Sequence, residues 1–394
     1  MYPVLVPLLI ALFFFFVTTL IILHNRKYFQ GLLPVPDLST TPLVSILIPA
    51  RNEEDNIGKL LDSLKRQDYP NMEIFILDDG SEDRTREIAE WHGRGSVHPV
   101  CVHTGKKKPD DWLGKNWACH QLSIRANGKV LIFLDADTWM TDSCISSTVG
   151  RMQQYNLHFT TVWPHQIMES ISERTVLPVV YATIVTYLPT EYSYRAPRWI
   201  PFRSLREKTR PMFAGACGQC LAFTSHAYSV IGGHESVKKE IVEDVMLSRK
   251  IAGAGLTMRM FHGTDQLWCR MYHSHTEIFS GLRKNFFAGF GNRFLPFIAA
   301  WVLHILVYLV PPVLLVLLMA GIADVADRSM YTGLAVAATV LPFLQRLWVC
   351  RFLKWPWITA LLHLPGILWF QMLAAVVIYD YLVGTRVTWK GRAL

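Results

Sequence analysis

Two carboxylates one residue apart, Asp135 and Asp137, directly follow the apolar stretch 130–134. Alternate residues of an extended chain project to the same side, so both carboxylates are expected to face one point. Two like charges held that close are unfavourable unless a cation or a proton separates them. Mg²⁺ and Mn²⁺ prefer oxygen ligands and commonly share one or two carboxylates with the phosphates of a substrate. The pair is therefore a candidate metal site, with an ordinary turn that carries two unrelated acids as the alternative.

Two further polar clusters follow apolar stretches in the same way, after residues 44–48 and after residues 73–77. Each cluster alone is weak evidence, because Asp, Asn, Gly and Ser are ordinary turn and helix-cap residues. Three such clusters at three strand ends would, however, converge on one crevice. The side chains concerned are Pro49, Arg51 and Glu53 in the first cluster and Asp78 and Asp79 in the second.

The elements that position these clusters are short apolar strands that alternate with helical patterns. Such alternation predicts an α/β fold with a mostly parallel sheet covered by helices on both faces. Ligands of such sheets bind beyond the carboxyl ends of the strands, which is where the polar clusters stand. No GxxxxGK[ST] motif is present, so a P-loop phosphate site is excluded. The predicted strands are 44–48, 73–77, 97–103 and 130–134, and the predicted helices are 53–66, 81–92, 115–126 and 143–155.

Composition places this α/β region beside a membrane. Of the 394 residues 51% are hydrophobic and only 18% are charged, which is too apolar for an ordinary soluble enzyme and too charged for a pure bundle of spans. The net charge of +8 has its excess near the predicted membrane faces, so anionic lipid is the expected partner. A nucleic-acid partner is not expected, because no dense basic stripe is present.

An uncharged run over residues 3–23 is long enough to cross a bilayer. Arg26 and Lys27 follow it, and the positive-inside rule then places the rest of the chain in the cytoplasm. A cleaved signal peptide is the competing interpretation, but no basic region precedes the run and no A-x-A site follows it. The expected location is the plasma membrane, with several crossings and a cytoplasmic catalytic domain.

Residues 297–321 and 331–350 predict two further spans, and residues 356–384 predict a re-entrant or interfacial hairpin broken at Pro365-Gly366. A single crossing there would place the basic residues of the last ten positions outside, against the charge rule. The expected division is an anchor over 1–27, a catalytic domain over 28–293 and a membrane region over 294–394. The basic residues in question are Arg386, Lys390 and Arg392.

Five motifs in order, VSILIPARNEE, ILDDGSEDRT, GKNWA, FLDADT and VEDVMLSRKI, resemble the family 2 glycosyltransferases of the GT-A fold. The resemblance covers about residues 43–290. It implies a nucleotide-diphosphate-sugar donor, a UDP- or GDP-sugar, and inversion at the anomeric carbon. By motif position it implies that Asp135 and Asp137 bind the metal and diphosphate and that Lys115 approaches the donor. It further implies donor-binding roles for Pro49, Arg51, Glu53, Asp78 and Asp79.

The same resemblance makes Asp244 the counterpart of the general base. Its place near the start of a predicted helix 243–254 should keep it ionised, although a first-turn acid of a helix is the alternative. Polysaccharide synthases of the family carry (Q/R)xxRW after the base, whereas this chain has SGLRKNFFAGFGNRF. A polymer-building activity is therefore disfavoured, and Arg283 becomes the candidate cation for the leaving group.

Three shorter strings, GKNWACHQ, CRMYHSHTE and TWKGR, resemble membrane glycosyltransferases associated with carotenoid and hopanoid lipids. The expectation is therefore an inverting, Mg²⁺- or Mn²⁺-dependent transfer of one sugar to a membrane lipid at the cytoplasmic face. Two alternatives stay open. One is transfer to a polyprenyl phosphate, and the other is a non-catalytic membrane protein that binds sugar nucleotides.

Overall fold

The apolar stretches form strands in the computed structural model of the chain, which describes residues 2–35, 38–385, 388–389 and 392–393. The chain divides into two compact units. The sheet unit comprises residues 28–167 and 190–271, and the helical unit comprises residues 1–27, 168–189 and 272–394.

The sheet unit contains, within the described residues, one sheet of eight strands in the order β3-β2-β1-β4-β7-β6-β8-β5. Four of the seven neighbouring pairs are parallel: β1–β2, β1–β4, β2–β3 and β6–β8. The α/β class is confirmed, with a mixed sheet whose first four strands are all parallel. The strands are β1 (Val44–Ala50), β2 (Met72–Asp78), β3 (Val100–Thr104), β4 (Val130–Leu134), β5 (Thr138–Met140), β6 (Phe159–Gln166), β7 (Cys220–Thr224) and β8 (Met258–Cys269).

Helices cover both faces of this sheet, as predicted. In β1, Ile46 and Ile48 pack into the core on one face and Leu47 packs into the core on the other, because successive side chains alternate. The helices of the unit are Ile57–Lys65, Thr85–Gly93, Gly114–Arg125, Cys144–Gln154, Arg203–Thr209, Ser225–Val230 and Glu243–Gly253, with 3₁₀ turns at Thr190–Ser193, Arg210–Phe213 and Gly233–Val237.

Two helices begin four residues later than predicted, because the preceding residues form paired loops instead. Asn52 has a φ of +52°, which ends any helical course there. The Glu53 N–H donates to Thr85 Oγ1 at 2.7 Å, and the Glu82 N–H donates to the Asn52 side-chain oxygen at 2.9 Å. The loop after β1 and the loop after β2 thus satisfy each other's backbone groups.

The helical unit contains four helices that are long and apolar enough to cross a membrane, counted over the described residues: Pro3–Tyr28, Phe294–Met319, Arg328–Phe352 and His363–Val383. A π-helical turn, Ile305–Leu309, lies between Phe294–His304 and Val310–Met319. The remaining helices of the unit are Ile171–Tyr187, His275–Ala288 and Ile358–Leu361, and two short strands, Thr388–Trp389 and Arg392–Ala393, pair with each other.

The predicted break at Pro365-Gly366 is wrong. The helix His363–Val383 runs through both residues, because a proline in the first turn removes only an N–H that has no partner inside the helix. The break falls at Leu362 instead, and the following helix of 21 residues is long enough to span. Arg386 and Lys390, two of the three residues used to argue for a cytoplasmic C-terminus, lie outside the described residues.

The predicted catalytic domain over 28–293 also differs from the observed units, because residues 168–189 and 272–293 belong to the helical unit. Polar side chains hold the helix Ile171–Tyr187 there. Asn25 Nδ2 donates to the carbonyl oxygens of Val185 at 2.9 Å and Leu188 at 2.7 Å. Such interhelical hydrogen bonds stabilise helices whose contact surfaces are apolar.

Candidate active site

The carboxyl ends of β1 and β2 bring the first two polar clusters together, as the sheet topology predicts. Ala50 and Asp78 pair in register at the last position of these strands. The Asp79 N–H donates to the Ala50 carbonyl at 2.9 Å, and Arg51 Nη1 donates to the Asp79 carbonyl at 3.1 Å. Arg51 and Asp79 are therefore neighbours at the edge of the sheet where ligands of parallel strands bind.

The other members of these clusters have structural partners. Pro49 is the last residue but one of β1 and pairs with Leu77 of β2. It therefore lies in the strand and not in the loop that follows. Asp78 is buried, and its Oδ1 accepts from the Ser81 N–H at 3.0 Å, which closes the turn after β2. The predicted donor-binding roles of Pro49 and Asp78 stay predictions.

The third cluster follows β4, but Asp135 and Asp137 do not lie on an extended chain. Residues 136–137 form a turn, in which the Thr138 hydroxyl donates to the Asp135 carbonyl at 2.8 Å. The argument from alternation along an extended chain was therefore wrong in its geometry. The two acids are neighbours all the same, because the charge of Asp135 is one of the causes that raise the pKa of Asp137.

The surroundings of Asp137 disfavour its ionised form, which a bound cation would stabilise. Burial, followed by the charges of Asp135 and Glu53, raises the pKa of Asp137 to about 7. Cys269, at the end of β8, pairs with Thr138 and hydrogen-bonds to Asp137 through its thiol. The other oxygen, Oδ1, is buried and has no hydrogen-bond partner among the described residues.

Lys115 connects these acids to a second acidic pair. It lies in the first turn of the helix Gly114–Arg125, and its Nζ is 2.8 Å from Asp135 Oδ1 and 3.1 Å from Glu243 Oε1. Burial alone would lower the pKa of Lys115, but the charges of Asp135 and Glu243 outweigh it and raise the pKa well above its ordinary value. Lys115 is thus a fixed cation between two carboxylates.

Asp244 stands next to this ion-pair chain. Its Oδ2 accepts from the Gly218 N–H at 2.7 Å, and its Oδ1 accepts from the Val245 N–H at 2.8 Å. A Cβ at Gly218 would lie 3.1 Å from Lys115 Nζ, 3.4 Å from Asp244 Oδ2 and 3.5 Å from Glu243 Oε1. The three charged side chains therefore lie around the α-carbon of Gly218, where a Cβ would meet the end of the Lys115 side chain.

The position of Asp244 in a helix does not keep its pKa low. Burial, followed by the charge of Glu243, raises the pKa of Asp244 to about 7, although two N–H donors and Lys115 act in the opposite direction. The expectation from the helix dipole was therefore wrong in sign, because a dipole effect of about 0.3–1 kcal/mol is smaller than the cost of burying two adjacent acids. A carboxylate with this pKa is suited to accept a proton near neutral pH.

Glu243 is the residue that sequence reasoning missed. It is buried and directly precedes Asp244 in the motif VEDVMLSRKI, yet only Asp244 was assigned a role. Two adjacent acids at the start of a helix, with a lysine in another motif, were the available signal. Spacing alone did not predict that Lys115 and Glu243 pair.

Arg283, the predicted cation for the leaving group, lies in the helical unit and forms a two-pronged ion pair there. Its Nε is 2.6 Å from Asp380 Oδ2, and its Nη2 is 2.5 Å from Asp380 Oδ1. This arrangement gives Arg283 a structural partner, and its role toward a leaving group stays a prediction.

The acids at the end of β4 fit a metal that is shared with a ligand. Within the part of the chain that the structure describes, no three His, Cys, Asp or Glu side chains are placed to hold a metal by themselves. Asp135 and Asp137 supply two carboxylates, and Asp137 Oδ1 has an unused lone pair. Hard divalent cations that keep one or two carboxylates and take further oxygens from phosphates match this set.

Comparison with known proteins shows what this chain is similar to. Residues 45–223 match the family model described as glycosyl transferase family 2. A 4,4'-diaponeurosporenoate glycosyltransferase of Staphylococcus haemolyticus (strain JCSC1435) is 26% identical over 257 residues, 64% of this chain and 63% of the relative. One of Staphylococcus aureus (strain USA300) is 27% identical over 252 residues, 63% of this chain and 62% of the relative. Each match thus spans less than two thirds of the relative's length.

Among solved structures, the chain resembles the mannosyltransferase PcManGT from Pyrobaculum calidifontis, determined in complex with GDP-Man and Mn²⁺. The TM-score is 0.55 and the sequence identity 16%, over 96% of this chain and 99% of that one. At this identity the likeness concerns the fold.

Replacing the central cation should destabilise the sheet unit in a pH-dependent way. In Lys115→Met, Asp137 and Asp244 lose the nearby positive charge that lowers their pKa values, so both pKa values rise further in the folded state. The free energy of unfolding should fall by about 1 kcal/mol near pH 8, a modest value because Lys115 is 39% exposed and its pairs are partly screened. The deficit should shrink toward pH 5, because Asp137 and Asp244, with pKa values of about 7, are then protonated in the folded state with or without Lys115.

Thermal unfolding of the purified full chain at pH 5, 6.5 and 8 measures this deficit. Lys129→Met is the matched control, because Lys129 is exposed and should give no pH-dependent change. A deficit of Lys115→Met that is equal at all three pH values would contradict the argument.

Proposed function

We propose that this chain, whose residues 45–223 match the family model described as glycosyl transferase family 2, is a membrane-bound, inverting glycosyltransferase. It moves one sugar from a UDP- or GDP-sugar to a lipid acceptor of carotenoid or hopanoid type. The observation that carries the proposal is the connected cluster in which Lys115 bridges Asp135 and Glu243 beside Asp244. A candidate metal ligand and a cation are thus in contact, and a candidate base lies beside them at the same edge of the sheet.

The donor side of this site is the edge formed by β1, β2 and β4. Arg51 and Asp79, joined through the Asp79 carbonyl, would face the nucleotide, and Pro49, Glu53 and Asp78 are the further residues proposed to bind the donor. Asp135 and Asp137 would hold Mg²⁺ or Mn²⁺, and the unused Asp137 Oδ1 supports this assignment. The ion, when bound, would offset the negative charge that develops on the departing diphosphate. Support also comes from PcManGT, which binds GDP-Man and Mn²⁺.

The acceptor side is Asp244. A hydroxyl is a poor nucleophile, so a carboxylate that takes its proton accelerates attack by about 10²–10⁴-fold. The N–H groups of Gly218 and Val245 fix both oxygens of Asp244, which orients the carboxylate before the acceptor arrives. A single displacement of the diphosphate by the activated hydroxyl inverts the anomeric carbon.

Lys115 is the cation that we place closest to the leaving group. Its contact with Asp135 keeps a positive charge beside the proposed metal site. Arg283 would have to give up Asp380 to serve this purpose, so we retain it only as a second candidate.

The helical unit gives a reason for the lipid acceptor. Four helices that are long and apolar enough to cross a bilayer would keep the enzyme where long-chain lipids reside. Arg26 and Lys27 at the end of the first of these helices favour a cytoplasmic sheet unit, where sugar nucleotides are available. The relatives named as diaponeurosporenoate glycosyltransferases support an acceptor of carotenoid type.

The decisive experiment supplies the full chain in membranes with a panel of UDP- and GDP-sugars, Mn²⁺ or Mg²⁺, and carotenoid, hopanoid and polyprenyl-phosphate lipids. We expect a lipid that gains one sugar, identified by mass spectrometry, and a loss of at least about 100-fold in Asp137→Ala. Nucleotide release that Asp137→Ala does not reduce, with no glycosylated lipid, would favour a non-catalytic sugar-nucleotide-binding protein.

Asp244→Asn should lower kcat by about 10²–10⁴-fold with little change in donor affinity, because the amide cannot accept the acceptor's proton. Glu235→Gln is the control, since Glu235 is exposed and outside the cluster. Steady-state rates and donor titration separate the two effects. Near-normal turnover of Asp244→Asn would instead indicate an acceptor that is already ionised, such as a polyprenyl phosphate or a carotenoid carboxylate.

The pH profile should report the ionisation of Asp244. Because its pKa is raised to about 7, the base is protonated below that pH, and kcat/KM should rise with pH through about 7 to a plateau. The rise should vanish from the residual activity of Asp244→Asn. A profile that is flat between pH 5.5 and 8.5 in the unaltered protein would contradict the assignment of the base.

A further inference from the structure

A buried arginine in the helical unit lacks an acidic partner. Arg346 lies in the helix Arg328–Phe352 and is 5% exposed. Among the described residues, no carboxylate hydrogen-bonds or ion-pairs with it. A buried charge without a counter-charge is unfavourable, and an ionised residue inside membrane-spanning helices commonly marks a functional site.

The contacts that Arg346 does make leave hydrogen-bond donors unused. Nη1 donates to the Pro178 carbonyl, and Nε and Nη2 both approach His363 Nδ1 at 3.3 Å. A guanidinium has five N–H groups, so two of them remain without a described partner. The charge is therefore held in place by the helices Ile171–Tyr187 and His363–Val383 but is not neutralised by either.

His363 adds a further donor to the same place. Its Nδ1 faces a group that only donates, so Nδ1 is the acceptor and the proton lies on Nε2. Nε2 is buried and has no hydrogen-bond partner within the described residues. The ring contacts Tyr308 at 5.5 Å between centroids, and Tyr308 in turn hydrogen-bonds to Tyr187 at 2.8 Å. This cluster therefore places the positive charge of Arg346 and unused N–H groups beside the rings of Tyr308 and Tyr187.

Three carboxylates of the helical unit have partners other than Arg346. Asp380 pairs with Arg283, Glu173 caps the helix Ile171–Tyr187, and Asp327 accepts from the Met330 N–H. The balance of charge around Arg346 therefore calls for an anion from outside the chain.

The depth of the cluster indicates what that anion is attached to. Arg346 lies six residues before the end of its helix, about 9 Å along the axis. His363 is the first residue of the next long helix, so the cluster is near the ends of helices that are long enough to span. The side chain of Trp357, in the connection between the helices Arg328–Phe352 and His363–Val383, is 66% exposed. Tryptophan is typical of the bilayer interface, so a buried cation near these helix ends suits the head group of a lipid.

We propose that Arg346 and His363 bind the oxyanion of a lipid head group, a phosphate or a carboxylate. The guanidinium would donate its two remaining N–H groups and His363 would donate from Nε2. This site is independent of sugar transfer, because none of its residues belongs to the Asp135–Lys115–Glu243–Asp244 cluster.

The test uses the full chain in nanodiscs of phosphatidylcholine alone, or with phosphatidylglycerol, or with a long-chain fatty acid. A ligand that binds only the folded state raises Tm, so both anionic lipids should stabilise the unaltered protein. Adding inorganic phosphate to the phosphatidylcholine discs should not. Arg346→Gln should abolish the shift, while Arg351→Gln, the same change at an exposed position of the same helix, should keep it.

Arg346→Lys covers the case in which Arg346→Gln does not fold. It keeps the charge but loses the fork of N–H groups, so the anionic lipid needed for half of the shift should rise on the order of tenfold. Native mass spectrometry should likewise show fewer retained anionic lipids. No shift with either anionic lipid, an equal loss in Arg351→Gln, an unchanged requirement in Arg346→Lys, or a full shift with inorganic phosphate alone would each overturn the proposal.

Discussion

The stability of the sheet unit depends on how it accommodates four carboxylates that are partly or fully removed from water. Asp135, Asp137, Glu243 and Asp244 come from two distant parts of the sequence and meet at one edge of the sheet, with Lys115 as the cation that contacts two of them. Burial and neighbouring like charges raise the pKa of Asp137 and of Asp244 to about 7. Carboxylates therefore outnumber the one lysine that contacts them at this edge of the sheet. A divalent cation, as proposed above, would offset part of this negative charge.

Much of this arrangement could be predicted from the sequence, because it follows from local rules. The strand over 130–134 was predicted to the residue, since five apolar residues stand between Lys129 and Asp135. The parallel order of the first four strands then places the polar clusters at one edge. The ion-pair partner of each charged side chain could not be predicted. The pairing of Lys115 with Glu243 needs strands that join non-consecutively, and no pattern in the sequence encodes that crossing.

The errors have physical causes that act over long range. Helices predicted from residues 53 and 81 begin later, because the intervening backbone satisfies its hydrogen bonds across to a neighbouring loop. The pKa of Asp244 moves upward, because burial beside Glu243 outweighs the helix dipole. In the helical unit, the sequence predicts a helix break at Pro365. A proline in the first turn, however, removes no hydrogen bond from within the helix. In the first two cases, contacts between distant parts of the chain outweigh the local preference of the sequence. In the third, the position of the proline within its helix decides.

The two loops that follow β1 and β2 satisfy each other through side chains: Asn52 accepts from one loop and Thr85 from the other. Neither loop therefore satisfies its backbone hydrogen bonds by itself. A graft that exchanges one of them for the corresponding loop of a relative would leave backbone N–H groups without partners in both loops. The two segments therefore have to be exchanged together, in evolution as in engineering.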